Sequence, residues 1–92
     1  MMSRFRKKPI EVEAVEGSVL LRLAKNAWRD LPVWLRRAHD EGKVRFLPHG
    51  IEIKTLEGVL TARSEDWVIC GLKDEIYPCK PDIFAASYEP IS

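Results

Sequence analysis

Ile51-Glu52-Ile53-Lys54-Thr55-Leu56-Glu57-Gly58-Val59-Leu60-Thr61-Ala62-Arg63 is the stretch that decides the fold. Ile51, Ile53 and Thr55 alternate with Glu52 and Lys54, the period-two signature of a strand with one buried face. Glu57-Gly58 suits a tight hairpin turn, and Val59–Arg63 returns as the second strand. Upstream, Val44-Arg45-Phe46-Leu47 reads as a strand turned by Pro48-His49-Gly50. Downstream, Ser64-Glu65-Asp66 is a polar turn into Trp67-Val68-Ile69-Cys70-Gly71-Leu72, the most apolar strand, and Lys73-Asp74 turns into Glu75-Ile76-Tyr77. Successive hairpins of this kind make an antiparallel meander, here of about five strands.

The first half has a different period. Ile10, Val12 and Ala14 alternate with Glu11 and Glu13 and predict a strand ended by Glu16-Gly17. Ser18 is a fitting N-cap for a helix in which Val19, Leu20, Leu23, Ala24, Ala27 and Trp28 share one face. Asp30 caps a second helix, with Pro32 in its first turn and Leu31, Trp34, Leu35 and Ala38 inward; Gly42 stands where a left-handed C-cap belongs. In the tail, Pro78 and Pro81 exclude a regular central strand. Pro81 starts one helical turn through Phe84-Ala85-Ala86, and Ser87-Tyr88-Glu89 suits a last short strand. The fold class is therefore α+β: an N-terminal strand, two amphipathic helices, the meander and a one-turn C-terminal helix. Residues 1–92 make a single domain, of which 1–8 are a basic arm carrying Arg4, Arg6, Lys7 and Lys8.

A chain of 92 residues buries roughly 60–65% of its unfolded surface. That leaves room for one small core and not for a deep ligand cavity besides. No apolar run approaches the ~18 residues of a membrane helix, and the basic start has no apolar segment behind it, so neither a membrane span nor a signal peptide is expected. The expected setting is a cytosol, with both cysteines reduced. The net charge of +1 hides an asymmetry. Residues 1–45 carry eleven Lys/Arg against six Asp/Glu, and residues 46–92 carry four against eight. Such a split suits an anionic partner for the basic half, two halves folded on each other, or head-to-tail self-association. A homodimer or larger assembly is expected, because an edge strand ends the meander and must be covered.

Candidate sites are few. Tyr77-Pro78-Cys79-Lys80-Pro81-Asp82 gathers a phenol, a thiol, an amine and a carboxylate. A nucleophilic Cys79 needs a base or cation to form thiolate. The plainer reading is that Pro81 and Asp82 shape the start of the helical turn while Tyr77 and Phe84 pack. Trp28, Trp34 and Trp67 can stack on bases or fill the core, and Trp67, beside the polar turn, is the first to inspect. Arg22, Lys25, Arg29, Arg36 and Arg37 offer a basic surface for phosphates. Against that, no nucleic-acid motif is present and the pI is near 7.8. His39 and His49 read as surface residues, and Asp66 with Glu65 as a solvated turn. With no CxxC and no Cys/His cluster, neither a metal nor a cofactor is expected.

The two thiols turn on register. A β-turn centred between Asp74 and Glu75 makes Cys70 face Cys79; a three-residue loop centred on Asp74 sets Cys70 against Pro78 instead.

Lys7–Ala14, Ile53–Gly58, Asp66–Phe84 and the ending Tyr88-Glu89-Pro90 resemble a widespread class of small phage and prophage proteins, the nearest named group being the PGDYG family. The resemblance covers about half the chain. It departs at Ser64-Glu65-Asp66-Trp67, which keeps the Asp and an aromatic but lacks the Pro-Gly, leaving the turn type open there. The resemblance implies origin and a β-rich fold, and it carries over no catalytic residue. On it rests the expectation of a non-enzymatic accessory protein that binds a host protein. The rivals are a sponge for a nucleotide-like small molecule, a nucleic-acid-binding factor, and an enzyme using Cys79 or the Asp66 turn. The binding candidates are Trp67, Tyr77, Cys79, Lys80, Asp82, Arg36 and Arg37.

Overall fold

The computed structural model describes residues 2–6 and 8–91. They fold in the order β1 (Glu13–Glu16), α1 (Gly17–Asn26), α2 (Val33–Asp40), β2 (Val44–Leu47), β3 (Gly50–Thr55), β4 (Gly58–Arg63), β5 (Trp67–Cys70), β6 (Ile76–Cys79) and α3 (Pro81–Ser87). The class is α+β, and all strand pairing is antiparallel. The five strands after the helices are present, but they do not form one meander. Together with β1 they divide into two three-stranded sheets, β2-β3-β4 and β1-β5-β6.

The first sheet follows the alternation. Val44, Ile51, Ile53 and Ala62 are its buried face. Leu56-Glu57 are the two residues of the β3–β4 turn, closed by the Thr55 hydroxyl, which accepts from Glu57 N–H at 3.1 Å and donates to the Gly58 carbonyl at 2.8 Å. Gly58 takes φ +120°, open to glycine and strained for other residues.

The break between the sheets lies at residues 63–66. Asp66 N–H donates to the Arg63 carbonyl at 3.1 Å, and Arg63 N–H donates to the Asp66 carboxylate at 2.9 Å. This turn re-aims the chain, so β5 pairs with β1 and β6 instead of β4. The same turn receives the start of α1. Gly17 N–H donates to the Asp66 carbonyl at 2.7 Å and Ser18 N–H to the Ser64 carbonyl at 2.8 Å. Ser18 is therefore not the N-cap. Glu16 holds that position with no side-chain bond, and a remote turn accepts two of the orphan N–H groups. Gly17 is obligatory there, since a Cβ would stand 2.2 Å from the Arg63 carbonyl oxygen.

Asp30 does not cap α2. Trp28–Asp30 form a 3-10 turn, Leu31 is extended as residues before proline prefer, and the Pro32 carbonyl accepts from Leu35 and Arg36. The C-terminus is as expected: Gly42, at φ +77°, donates to His39 O and Lys43 to Ala38 O, the paired bonds of a Schellman cap. Leu20, Leu31, Leu35 and Ala38 close the core over the first sheet and Val68.

β1 is shorter than the predicted strand. Its ladder with β5 stops at Glu13–Cys70 because the chain beyond Cys70 turns away, with Lys73 and Asp74 at positive φ. Ile10, Glu11 and Val12 are left without a ladder. The tail is longer in helix than expected: α3 has two turns, and Tyr88–Glu89 form no strand.

Candidate functional site

The turn at 63–66 and the strand end at 79–80 converge on Asp66. Its carboxylate is 2% exposed, contrary to a solvated turn acid. One oxygen, Oδ2, accepts from Arg63 N–H and lies 3.6 Å from Lys80 Nζ. The other, Oδ1, is buried with no hydrogen-bond partner. Burial of a carboxylate is tolerated when it is paired and hydrogen-bonded, and Lys80, largely exposed along its stem, meets that condition for one oxygen only. Lys80 also leads into α3, so the ion pair fastens α3 to the β4–β5 turn.

Cys79 stands next to this pair and opposite Trp67. Burial, and then the carboxylates of Asp66 and Asp82, push its thiol pKa up. Those charges oppose thiolate formation, the reverse of what activates a nucleophile. Asp82 lies in the exposed first turn of α3. Trp67 stacks on Phe84 with ring centroids 4.2 Å apart, Phe84 stacks on Tyr88 at 5.1 Å, and the Tyr88 and Tyr77 hydroxyls lie 3.2 Å apart. Burial first, and then the bond to Tyr88, push the Tyr77 phenol up. Trp67, Tyr77, Cys79 and Lys80 are thus brought together, as an aromatic and ionic clasp holding α3 on the sheet.

Cys70 and Cys79 do not face each other. Trp67 opposes Cys79 and Cys70 opposes Ile76, a register centred on Lys73, so both sequence-based pairings fail. Five residues, Gly71–Glu75, form the loop, closed by Gly71 N–H to Glu75 O at 2.8 Å. The two cysteines fall on opposite faces of the sheet, and both thiols are free. Burial, then Asp74 and Glu13, push Cys70 up as well.

Arg36 and Arg37 belong elsewhere, on α2, which packs on β2. Arg37 is exposed, whereas Arg36 is half-buried with its Nε unpartnered. His39 is a correction of a different kind: it packs between Trp28, centroids 4.7 Å apart, and Phe46, 6.0 Å away, while His49 is exposed as expected.

Sequence reasoning missed two grooves. One lies between α1 and the end of β2, lined by Leu21, Arg22, Ala24, Lys25, Phe46 and Leu47. The other runs along β1 beside Pro32, Val33 and Trp34, and there Trp34 Nε1 donates to Glu13 Oε2 at 2.6 Å. Both join segments remote in the chain, for which spacing gives no signal. Among the described residues no helix is long and apolar enough to cross a membrane, and no three His, Cys, Asp or Glu converge as a metal site. Compared with protein-family models, curated proteins and solved structures, the chain matches none.

Proposed function

We propose that this chain is a phage or prophage accessory protein of PGDYG type that acts by binding a host protein, without catalysis, through the tip and edge of the β3–β4 hairpin. The observation that carries the reading is aliphatic exposure at the hairpin tip and its edge strand: Leu56, in the turn, is 100% and Val59, on β4, 59% exposed, and among the described residues no strand pairs with the far side of β4. Thr61 and Arg63 continue the exposed row. Such an edge accepts an extended partner segment through main-chain bonds, with Leu56 and Val59 as anchors. The raised Cys79 thiol argues against nucleophilic chemistry at that residue.

The test is affinity capture from host extract with the native chain and with Val59→Lys and Leu56→Lys variants, followed by titration of the purified partner. A partner bound by the native chain and lost to both variants, at unchanged melting temperature, supports the reading. Equal capture by all three chains refutes it. The groove beside Arg22, Lys25 and Phe46 favours a second reading, sequestration of a nucleotide-like anion. Calorimetric titration with a panel of nucleotides decides it, and heat that disappears in Lys25→Glu would favour the sponge.

A further inference from the structure

The open edge of β1 and the segment before it are complementary to each other. β5 covers one edge of β1, and among the described residues no strand covers the other. Gly17 N–H bonds Asp66 O, which continues the β1–β5 register and fixes its phase. Glu13, Val15 and Gly17 turn their main-chain groups toward β5. Ala14 and Glu16 therefore present theirs to the open side, and an extended continuation presents those of Val12 and Ile10 there too. Phe5 is 94% exposed and Ile10 43%. The apolar groove of Val15, Pro32, Val33 and Trp34 runs beside the open edge, with Val33 59% exposed.

We propose that residues 4–6 and 8–16 pair antiparallel with the same residues of a second copy, joining two β1-β5-β6 sheets across a two-fold axis at Ile10. The segment's charge favours this arrangement. Arg4, Arg6 and Lys8 occupy its first half, and Glu11, Glu13 and Glu16 its second. An antiparallel match about Ile10 sets Arg4 opposite Glu16 of the second copy, twice per dimer. A parallel match would set like charges side by side. Pro9 lacks an N–H, but in this phase its nitrogen points away from the new ladder, so no bond is lost. Phe5 falls opposite Val15 of the second copy, on the face where Glu13 reaches Trp34. Its ring therefore enters the groove beside Val33 and Trp34. The strand-like alternation of residues 10–12 then has a ladder that a single chain does not give it.

Light scattering and sedimentation equilibrium test this on the native chain and on Arg4→Glu, Glu16→Arg, the double variant and Phe5→Ser. Glu16 is exposed and makes no side-chain cap bond, so its replacement breaks no bond of the single chain, and the melting temperature of each variant is read alongside its mass. The native chain is expected at twice its 10.6 kDa mass. Each single charge reversal should weaken dimerisation about tenfold or more, because two attractive pairs become repulsive. Phe5→Ser should weaken it too, and the charge-reversed double variant should recover near-native association. A native chain that stays monomeric at high micromolar concentration overturns the proposal. So does a dimer indifferent to Arg4→Glu and Phe5→Ser, or a double variant no better than the singles.

Discussion

The two sheets are built by opposite means. β2-β3-β4 is a local structure: each strand pairs with its neighbour in sequence across a short turn, and alternate residues go inward. β1-β5-β6 joins β1 to a strand some fifty residues away, although β5 and β6 pair as neighbours. It is secured at the Trp67 end of β5 by the Arg63–Asp66 turn docked on α1 and, beside it, by the stack of Trp67, Phe84 and Tyr88. The first sheet holds Ile51, Ile53 and Ala62 at 0% exposure and β5 of the second holds Val68 and Ile69 there, while α3, which covers the second sheet, has no buried residue. Local pairing puts stability in the hairpin itself. Remote pairing puts it in a few fastening contacts, each of which can be removed singly.

The largest effect is expected in the first sheet. Ile53→Ala should cost about 2–5 kcal/mol by the lost burial and the cavity left behind, read as a fall in the chemical-denaturation midpoint. For a domain of this size that is a large part of its total stability. Gly17→Ala tests the second sheet. Alanine favours a helix over glycine by about 1 kcal/mol, but here its methyl meets the Arg63 carbonyl, which is backbone and cannot swing away. We expect the clash to win, with a net loss of about 1–3 kcal/mol. A variant as stable as the native chain would show that the turn is not a fastening.

These two positions also show what the sequence made legible. Ile51–Arg63 declares its sheet because period, turn and pairing all lie within thirteen residues. Gly17 and Asp66 declare nothing alone, since their meaning is a contact between residues far apart in the chain. Ser64-Glu65-Asp66 has the composition of a solvated turn, and only the docking of α1 on it buries Asp66. The thiol register failed for a related reason. Lys73 and Asp74 adopt positive φ without glycine, so a five-residue loop formed where composition suggested a shorter one. The tail cluster of Tyr77, Cys79 and Lys80 was visible as a cluster, but its partners Asp66, Trp67 and Tyr88 come from other elements.

Smaller effects sharpen the comparison. Asp66→Ala leaves Arg63 N–H without its acceptor and removes the anchor of Lys80, at a cost of about 1–3 kcal/mol. Circular dichroism on melting reads it. Tyr77→Phe removes the hydroxyl contact with Tyr88 and should cost about 0.5–1.5 kcal/mol. Its pH dependence has a definite sign. The folded state raises the Tyr77 pKa, so it favours the protonated phenol. That contribution is complete below the unfolded value of about 10 and is lost as pH rises above it. The native chain should therefore lose melting temperature more steeply than Tyr77→Phe above about pH 10. Parallel curves would detach Tyr77 from the clasp. Smallest of all, alkylation of Cys70 and Cys79 at neutral pH should run slower than that of an unperturbed thiol and quicken with pH. Rapid labelling of Cys79 would contradict a packed, unactivated thiol.

Native-state hydrogen exchange compares the sheets most directly. Amides of β3 should exchange only through global unfolding, with the denaturant dependence of the whole domain. Amides of β6 and α3 should open at lower free energy, as one unit, because beyond the β5–β6 ladder only the clasp holds them. Equal opening energies in both sheets, or a β3 that opens before β6, would contradict the account.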